Sequence, residues 1–390
     1  MKQQVFNHVK NLRGWKTRRR IVVFAVDDYG NVRVSSSLAR ERMNRAGLRV
    51  HSRFDAFDAL ENHHDLEALF EVLSSVKDKR GHAAVLTAFC VPCNINFEAT
   101  LENGSFDYQK ELLPATYKKR EAADPKAYTG AWGLWKEGME KKLIHPEYHG
   151  REHFNLKVFR EKLQAGDREL MTALRHHSLT SISGTGYSTI SFAAAYEFDR
   201  LEENSRFQYI LLDGLDAFEQ VFGFRARIFN PPGGREHPVI HRFLNEGGVK
   251  CLDTPFLKKE HQGRGKYKWI LNYTGKKNAL GQLFLVRNCV FEPNLNTHLD
   301  WIQYTFKQVE TAFKWHRPAI ISSHRVNFCG HIDPINRKKG LWALKKLLKK
   351  IVDRYPDVEF MTSLDLAHLI EQRKRKPPAH HNKSDIIMVK

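Results

Sequence analysis

Seven short apolar runs, each separated from the next by stretches of helical period, leave few folds open to this chain. They are Ile21–Val26, Ala83–Phe89, Leu143–Tyr148, Arg225–Phe229, Val249–Leu252, Ala319–Ser322 and Val358–Met361. Between them apolar residues recur at helical spacing; Leu341, Leu344, Leu348 and Ile351 make one stripe with lysines opposite. This alternation predicts an α/β fold built on a parallel sheet, either open or closed into a barrel. Two stretches break the rhythm. Residues 94–142, rich in aromatic and charged side chains, read as an insertion over one face. Residues 258–287 read as a hairpin or meander with "KYKWILNY" and "GQLFLVRN" as its arms. The expected organisation is one domain over residues 1–373 and a basic, flexible tail over 374–390.

In parallel α/β folds the residues that act on ligands gather at the C-terminal ends of strands. The first run ends in Asp27 and Asp28. The third runs into "HPEYHGREHFN", with His145, His149 and His153. The fourth ends in "FNPPGG", and the sixth in "SSHRVNFCGH", with His324 and His331. Two adjacent carboxylates at the end of a buried strand repel each other and need a compensating positive charge. A divalent cation supplies it. Histidines four residues apart on a helical turn project to one side, and with one carboxylate they form the open ligand set of catalytic metal sites. Either His145 with His149 or His149 with His153 has that spacing. The second pair is preferred because Pro146 would interrupt a helical turn through the first. Asp28 completes the set, and Asp27 stays free to act as a general base.

The formal charge of +19 is concentrated at residues 16–20, 118–120, 345–350 and in the tail. It reads either as a solvated face that aids solubility or as a surface for an anionic glycan or for peripheral contact with a membrane. No RNA-binding aromatic signature, zinc-finger spacing or helix-turn-helix pattern accompanies it, so nucleic acid is not the expected partner. No apolar run approaches the ~20 residues of a transmembrane helix. The basic N-terminus is not followed by a signal-type apolar stretch, and the five cysteines are scattered, so a cytoplasmic location is expected. Cys90 and Cys93 form a C-x-x-C after a strand rather than opening a helix, which reads as two structural thiols.

Taken in order, "FAVDDYG", "HGREH", "FNPPGG" and "IISSH" resemble the motifs of the polysaccharide deacetylases, carbohydrate esterase family four with its NodB-homology domain. The resemblance runs from about Ile21 to Ile370. It implies a distorted (β/α)7 barrel with an insertion over the active-site face. It implies Asp27 as catalytic base, Asp28, His149 and His153 as metal ligands, and His324 as general acid. Where the family carries an arginine before a Pro-aromatic segment, Asn230 stands here, with Arg227 nearby; Arg227, Asn230 and Arg287 are the expected supports of substrate or transition state, Arg227 or Arg287 by keeping Asp27 ionised. The segment nearest in order to the motif that supports the catalytic carboxylate is "RNCVFEPN", with Arg287 and Glu292. The implied reaction is metal-dependent hydrolysis of N- or O-acetyl groups on a carbohydrate. Zn²⁺ is the default ion, and Co²⁺, Ni²⁺ or Fe²⁺ suit the same ligands. Trp132, Trp135 and Tyr148 either stack on sugar rings or pack the insertion onto the barrel. Two other readings stand beside this one: a glycosidase or non-sugar amidase on the same barrel, and a non-catalytic basic glycan-binding protein.

Overall fold

The computed structural model describes residues 2–102, 107–180, 182–295 and 298–375. Most of the expected tail, residues 376–390, lies outside the described residues. Thirteen strands form among the described residues. They are β1 (Ile21–Tyr29), β2 (Leu86–Cys90), β3 (Cys93–Ile95), β4 (Lys110–Leu112), β5 (Ile144–Tyr148), β6 (Ile228–Phe229), β7 (Cys251–Thr254), β8 (Leu257–His261), β9 (Tyr267–Leu271), β10 (Leu283–Val286), β11 (Cys289–Val290), β12 (Ala319–His324) and β13 (Glu359–Phe360).

The main sheet runs β10-β7-β6-β5-β2-β1-β12-β11, with every pair parallel, and β13 adds to the start of β1. Its two end strands do not pair with each other, yet only Arg287 and Asn288 separate them in the chain. Three peptide steps reach no more than about 11 Å, so the sheet must curl until its edges nearly meet. The fold is therefore a distorted (β/α) barrel with one seam, spanned by a covalent strap two residues long.

The alternating side chains of β1 serve two layers. Val22, Phe24 and Val26 pack outward against helices such as His63–Ser74 and Pro334–Arg354, which bring Leu66, Leu69 and Leu344. Ile21, Val23 and Ala25 face inward, with Phe89, Ile228, Cys251, Leu285 and Ile320. Helix Ser363–Arg375 closes one end of this interior with Leu366, Ala367 and Ile370. Both faces being covered, the strand reads as a continuous apolar run rather than a half-polar one.

The irregular stretches are partly as expected. Within 94–142, helix Ala131–Glu140 lies against His63–Ser74, where Gly138 leaves room for the ring of Phe70; a Cβ there would come within 2.3 Å of it. In the later stretch the antiparallel hairpin is β8 with β9. The segment "GQLFLVRN", expected as a hairpin arm, instead contributes β10 to the barrel beside β7. All four of its residues are buried, and a fully buried apolar run suits a parallel strand better than a hairpin arm.

Candidate active site

The period of two that turns Ile21, Val23 and Ala25 inward carries Asp27 inward as well, at the C-terminal mouth of the barrel. In a regular strand Asp28 would then face out. Here the pairing of β1 with β2 slips between Val26 and Tyr29, and Asp28 takes a φ of +76°. The bulge swings its carboxylate back, so both adjacent aspartates serve one cleft. A left-handed backbone at a non-glycine residue costs about 1–3 kcal/mol and is a feature of functional sites; Asp tolerates it better than most.

His149 follows β5 directly, and its backbone N–H donates to the Cys90 carbonyl at 2.9 Å. Its ring Nδ1 lies 2.9 Å from the Asn230 carbonyl oxygen, which can only accept. That bond assigns the proton to Nδ1 and leaves the Nε2 lone pair facing Asp28. Nε2 of His149 and Nε2 of His153 stand 3.4 and 2.8 Å from the same oxygen, Oδ1 of Asp28. Burial pushes the His153 pKa down, which keeps that imidazole neutral. Its Nδ1 is buried and has no hydrogen-bond partner among the described residues.

The expected helical turn is absent. Residues 149–154 are irregular, and Gly150 makes the bend with φ +93°, where a Cβ would lie 3.0 Å from Pro232. His145 is not in this cluster because 144–148 is strand, not helix. Its ring stacks on Phe224 with centroids 5.3 Å apart.

Asp28, His149 and His153 thus offer three ligand atoms within 4.8 Å of one another, all from buried residues. Imidazole nitrogens and a carboxylate oxygen converging at that range fit a divalent transition ion, with positions left over for water and substrate.

Asp27 is held from the other side. Arg287 grips it with two parallel bonds, Nη1 to Oδ2 and Nη2 to Oδ1, both 2.7 Å. The same guanidinium gives its Nε to Asp253, 2.9 Å away, and Asp253 also accepts from Nδ2 of Asn230 at 3.0 Å. Burial works to raise the Asp27 pKa, but the Arg287 charge and hydrogen bonds outweigh it and hold the carboxyl below its usual value. Asp27 is therefore ionised at neutral pH.

His324 sits opposite Asp27 in the β1–β12 register, its Nε2 3.9 Å from Oδ2 of Asp27. Its Nδ1 binds Oε1 of Glu292 at 2.6 Å. Glu292 in turn accepts from Asn327 at 2.8 Å and pairs with Arg53. Burial alone would lower the His324 pKa. The charge and hydrogen bond of Glu292, with Asp28 and Asp27 behind, reverse this and lift it to about 9. The imidazolium form prevails at neutral pH.

These groups line a cleft of about 700 Å³ walled by Phe54 and Phe256. Arg227 is not among them. It precedes β6 and is exposed at the strand's entry end, with its guanidinium 3.3 Å from the Gly248 carbonyl. The expectation placed it near the site because it is close to Asn230 in sequence, but those three residues cross a strand from one end to the other. Trp135 and Tyr148 are fully buried and Trp132 packs against the core, so all three serve packing. Asp253 escaped the sequence analysis; its signal is the carboxylate that directly follows the Val249–Leu252 run. All five cysteines are free and buried.

No family model and no curated protein matches the chain. Solved structures do. One described as a polysaccharide deacetylase from Mycobacterium smegmatis matches over 94% of this chain and 95% of its own, at 13% identity and a TM-score of 0.46. Another so described, from Pseudomonas aeruginosa PAO1, matches over 92% and 93%, at 11% identity and a TM-score of 0.47. A GH57 branching enzyme from Thermococcus kodakaraensis matches over 90% and 71%, at 10% identity and a TM-score of 0.45. The structural neighbours of this chain thus include several polysaccharide deacetylases, at low sequence identity, alongside a 4-alpha-glucanotransferase and GH57 branching enzymes.

Proposed function

We propose that the chain is a metal-dependent hydrolase that removes N- or O-acetyl groups from a carbohydrate. One observation carries the reading. A buried Asp–His–His cluster shares one cleft with an ionised carboxylate clamped by arginine and an imidazolium clamped by glutamate, these last two 3.9 Å apart. Asp28, His149 and His153 would hold a divalent cation, Zn²⁺ by default, which would supply Lewis acidity to the hydrolysis.

The protein's own groups do the rest. Asp27 takes a proton from the attacking water as its oxygen bonds to the acyl carbon. Nε2–H of His324 gives a proton to the leaving nitrogen or oxygen as the acyl bond breaks, so the products are acetate and a free amine or hydroxyl. Arg287 keeps Asp27 ionised and aimed; Glu292 does the same for the charged ring of His324. A glycosidase reading is less well supported. It needs a pair of carboxyl groups of which one stays protonated to act as acid, and here both Asp27 and Glu292 are held below their usual carboxylate values by the cations beside them.

The test is release of acetate from an acetylated oligosaccharide. Activity is expected in protein loaded with Zn²⁺ or Co²⁺ and to vanish after chelation. Equal turnover in stripped and loaded protein would overturn the proposal.

A finer expectation concerns pH. Because His324 must be protonated to act, kcat should fall as pH rises through about 9. Glu292→Gln removes the leading contribution to that raised pKa, so the alkaline limb should move down by about one unit or more. The same linkage governs stability. The charged-pair contribution of His324 is complete below the pKa of an unfolded histidine and is lost as pH climbs through the folded value. An unmoved alkaline limb in the variant would remove Glu292 from this role.

A further inference from the structure

Helix Lys2–Asn11 is docked with its polar side inward. Asn7 and Asn11 are buried; the Asn11 side chain accepts from Asn288 at 2.8 Å, and Arg317 donates to the Asn11 carbonyl at 2.9 Å. Trp315 donates to His8 at 2.8 Å. Val5 and Val9, with Phe6 beside them and Leu12 just past the helix end, fall at helical spacing on the other side and are exposed, Val5 by 57% and Leu12 by 52%.

The β8–β9 hairpin does the same. Lys258 and Glu260 of β8 are turned in toward the body, while its outer face sets Leu257 across from Leu271 and Lys259 across from Trp269. Trp269 is 60% exposed, and Leu257, Tyr267 and Leu271 are exposed too. The two elements adjoin. Phe6 meets Phe256 with ring centroids 6.1 Å apart, and Phe6, Phe256 and Leu257 all line the mouth of the active-site cleft.

A helix and a hairpin that both turn apolar side chains away from the protein, side by side, call for an apolar phase outside it. Charge says which. Arg13, Lys16 and Arg18 after the helix and Lys259, Arg264, Lys266 and Lys268 of the hairpin are exposed, residues 2–20 hold no acid, and the one acid of residues 257–277, Glu260, is buried. A second copy of the chain would bring this density of like charge against itself. An anionic bilayer meets both demands, with aromatic and aliphatic side chains entering the headgroup region and Lys and Arg meeting lipid phosphates. We infer that Val5, Phe6, Val9, Leu12, Trp269 and Leu271 dock this protein on an anionic lipid surface with the cleft mouth turned toward it. No helix among the described residues is long and apolar enough to cross a membrane, so the contact is peripheral. A substrate carried on that surface rests on the hydrolase reading; the docking does not.

The full chain is tested by co-sedimentation with vesicles of phosphatidylcholine alone and of an equal mixture of phosphatidylcholine and phosphatidylglycerol. Binding is expected to the mixed vesicles, weakening as salt is raised, and to be slight with phosphatidylcholine alone. Val9→Ser with Trp269→Ser, two exposed positions outside the catalytic groups, should weaken it about ten-fold or more at unchanged thermal stability. Lys259→Gln with Lys268→Gln should weaken it and flatten its salt dependence. Wild-type protein that ignores mixed vesicles, or a doubly substituted chain that binds as well as wild type, would overturn the inference. So would a dimer in light scattering that the Val9 and Trp269 substitutions dissolve. Acetate release is assayed separately without lipid, so failure of the hydrolase reading cannot be mistaken for failure of docking.

Discussion

Asp27→Asn is expected to lower kcat for acetate release by about three orders of magnitude while the metal content stays at the wild-type level. Asparagine keeps the shape of the side chain and can still accept a bond from Arg287, but it cannot take a proton from water. The proposed metal ligands are untouched, because Asp27 reaches Arg287 and faces His324 rather than joining the Asp28, His149 and His153 cluster. Metal analysis and steady-state kinetics on one preparation separate the two properties. Turnover within a few-fold of wild type would remove Asp27 as the base.

The second large effect is on metal itself. Purified protein should carry about one transition ion per chain, and His149→Ala or Asp28→Asn should lose most of it. Asparagine is the informative choice at Asp28. It accepts the left-handed backbone almost as readily as aspartate, whereas alanine would add strain and confuse affinity with folding. The folded content of both variants is checked by circular dichroism. Wild-type metal content in both would dissolve the proposed centre.

The β strands of the barrel and most of their polar ends were legible in the sequence because period and apolar runs report burial directly. Asp27, Asp28, His149, His153 and His324 each follow or end an apolar run, and the structure places all five in one cleft. What stayed hidden depended on distance rather than local pattern. Arg287 was found only by chain order, since nothing near it announces a bidentate partner 260 residues earlier. Asp253 went unread, since nothing beside it in the chain announces its partners Arg287 and Asn230. Arg227 misled because sequence proximity to Asn230 does not survive a strand crossing the barrel. The reason offered for preferring His153 over His145 was also wrong in kind. Pro146 interrupts no helix; the chain there is a strand, and the spacing works through an irregular turn at Gly150.

The residue gripping Asp27 is also one of the two that span the gap in the barrel wall. Breathing of the wall at that place would loosen the hold on the carboxylate. On the proposed hydrolase reading, rigidity of the scaffold and readiness for proton transfer share one latch, and mutations that slacken the barrel far from the cleft would lower turnover without touching a reacting group.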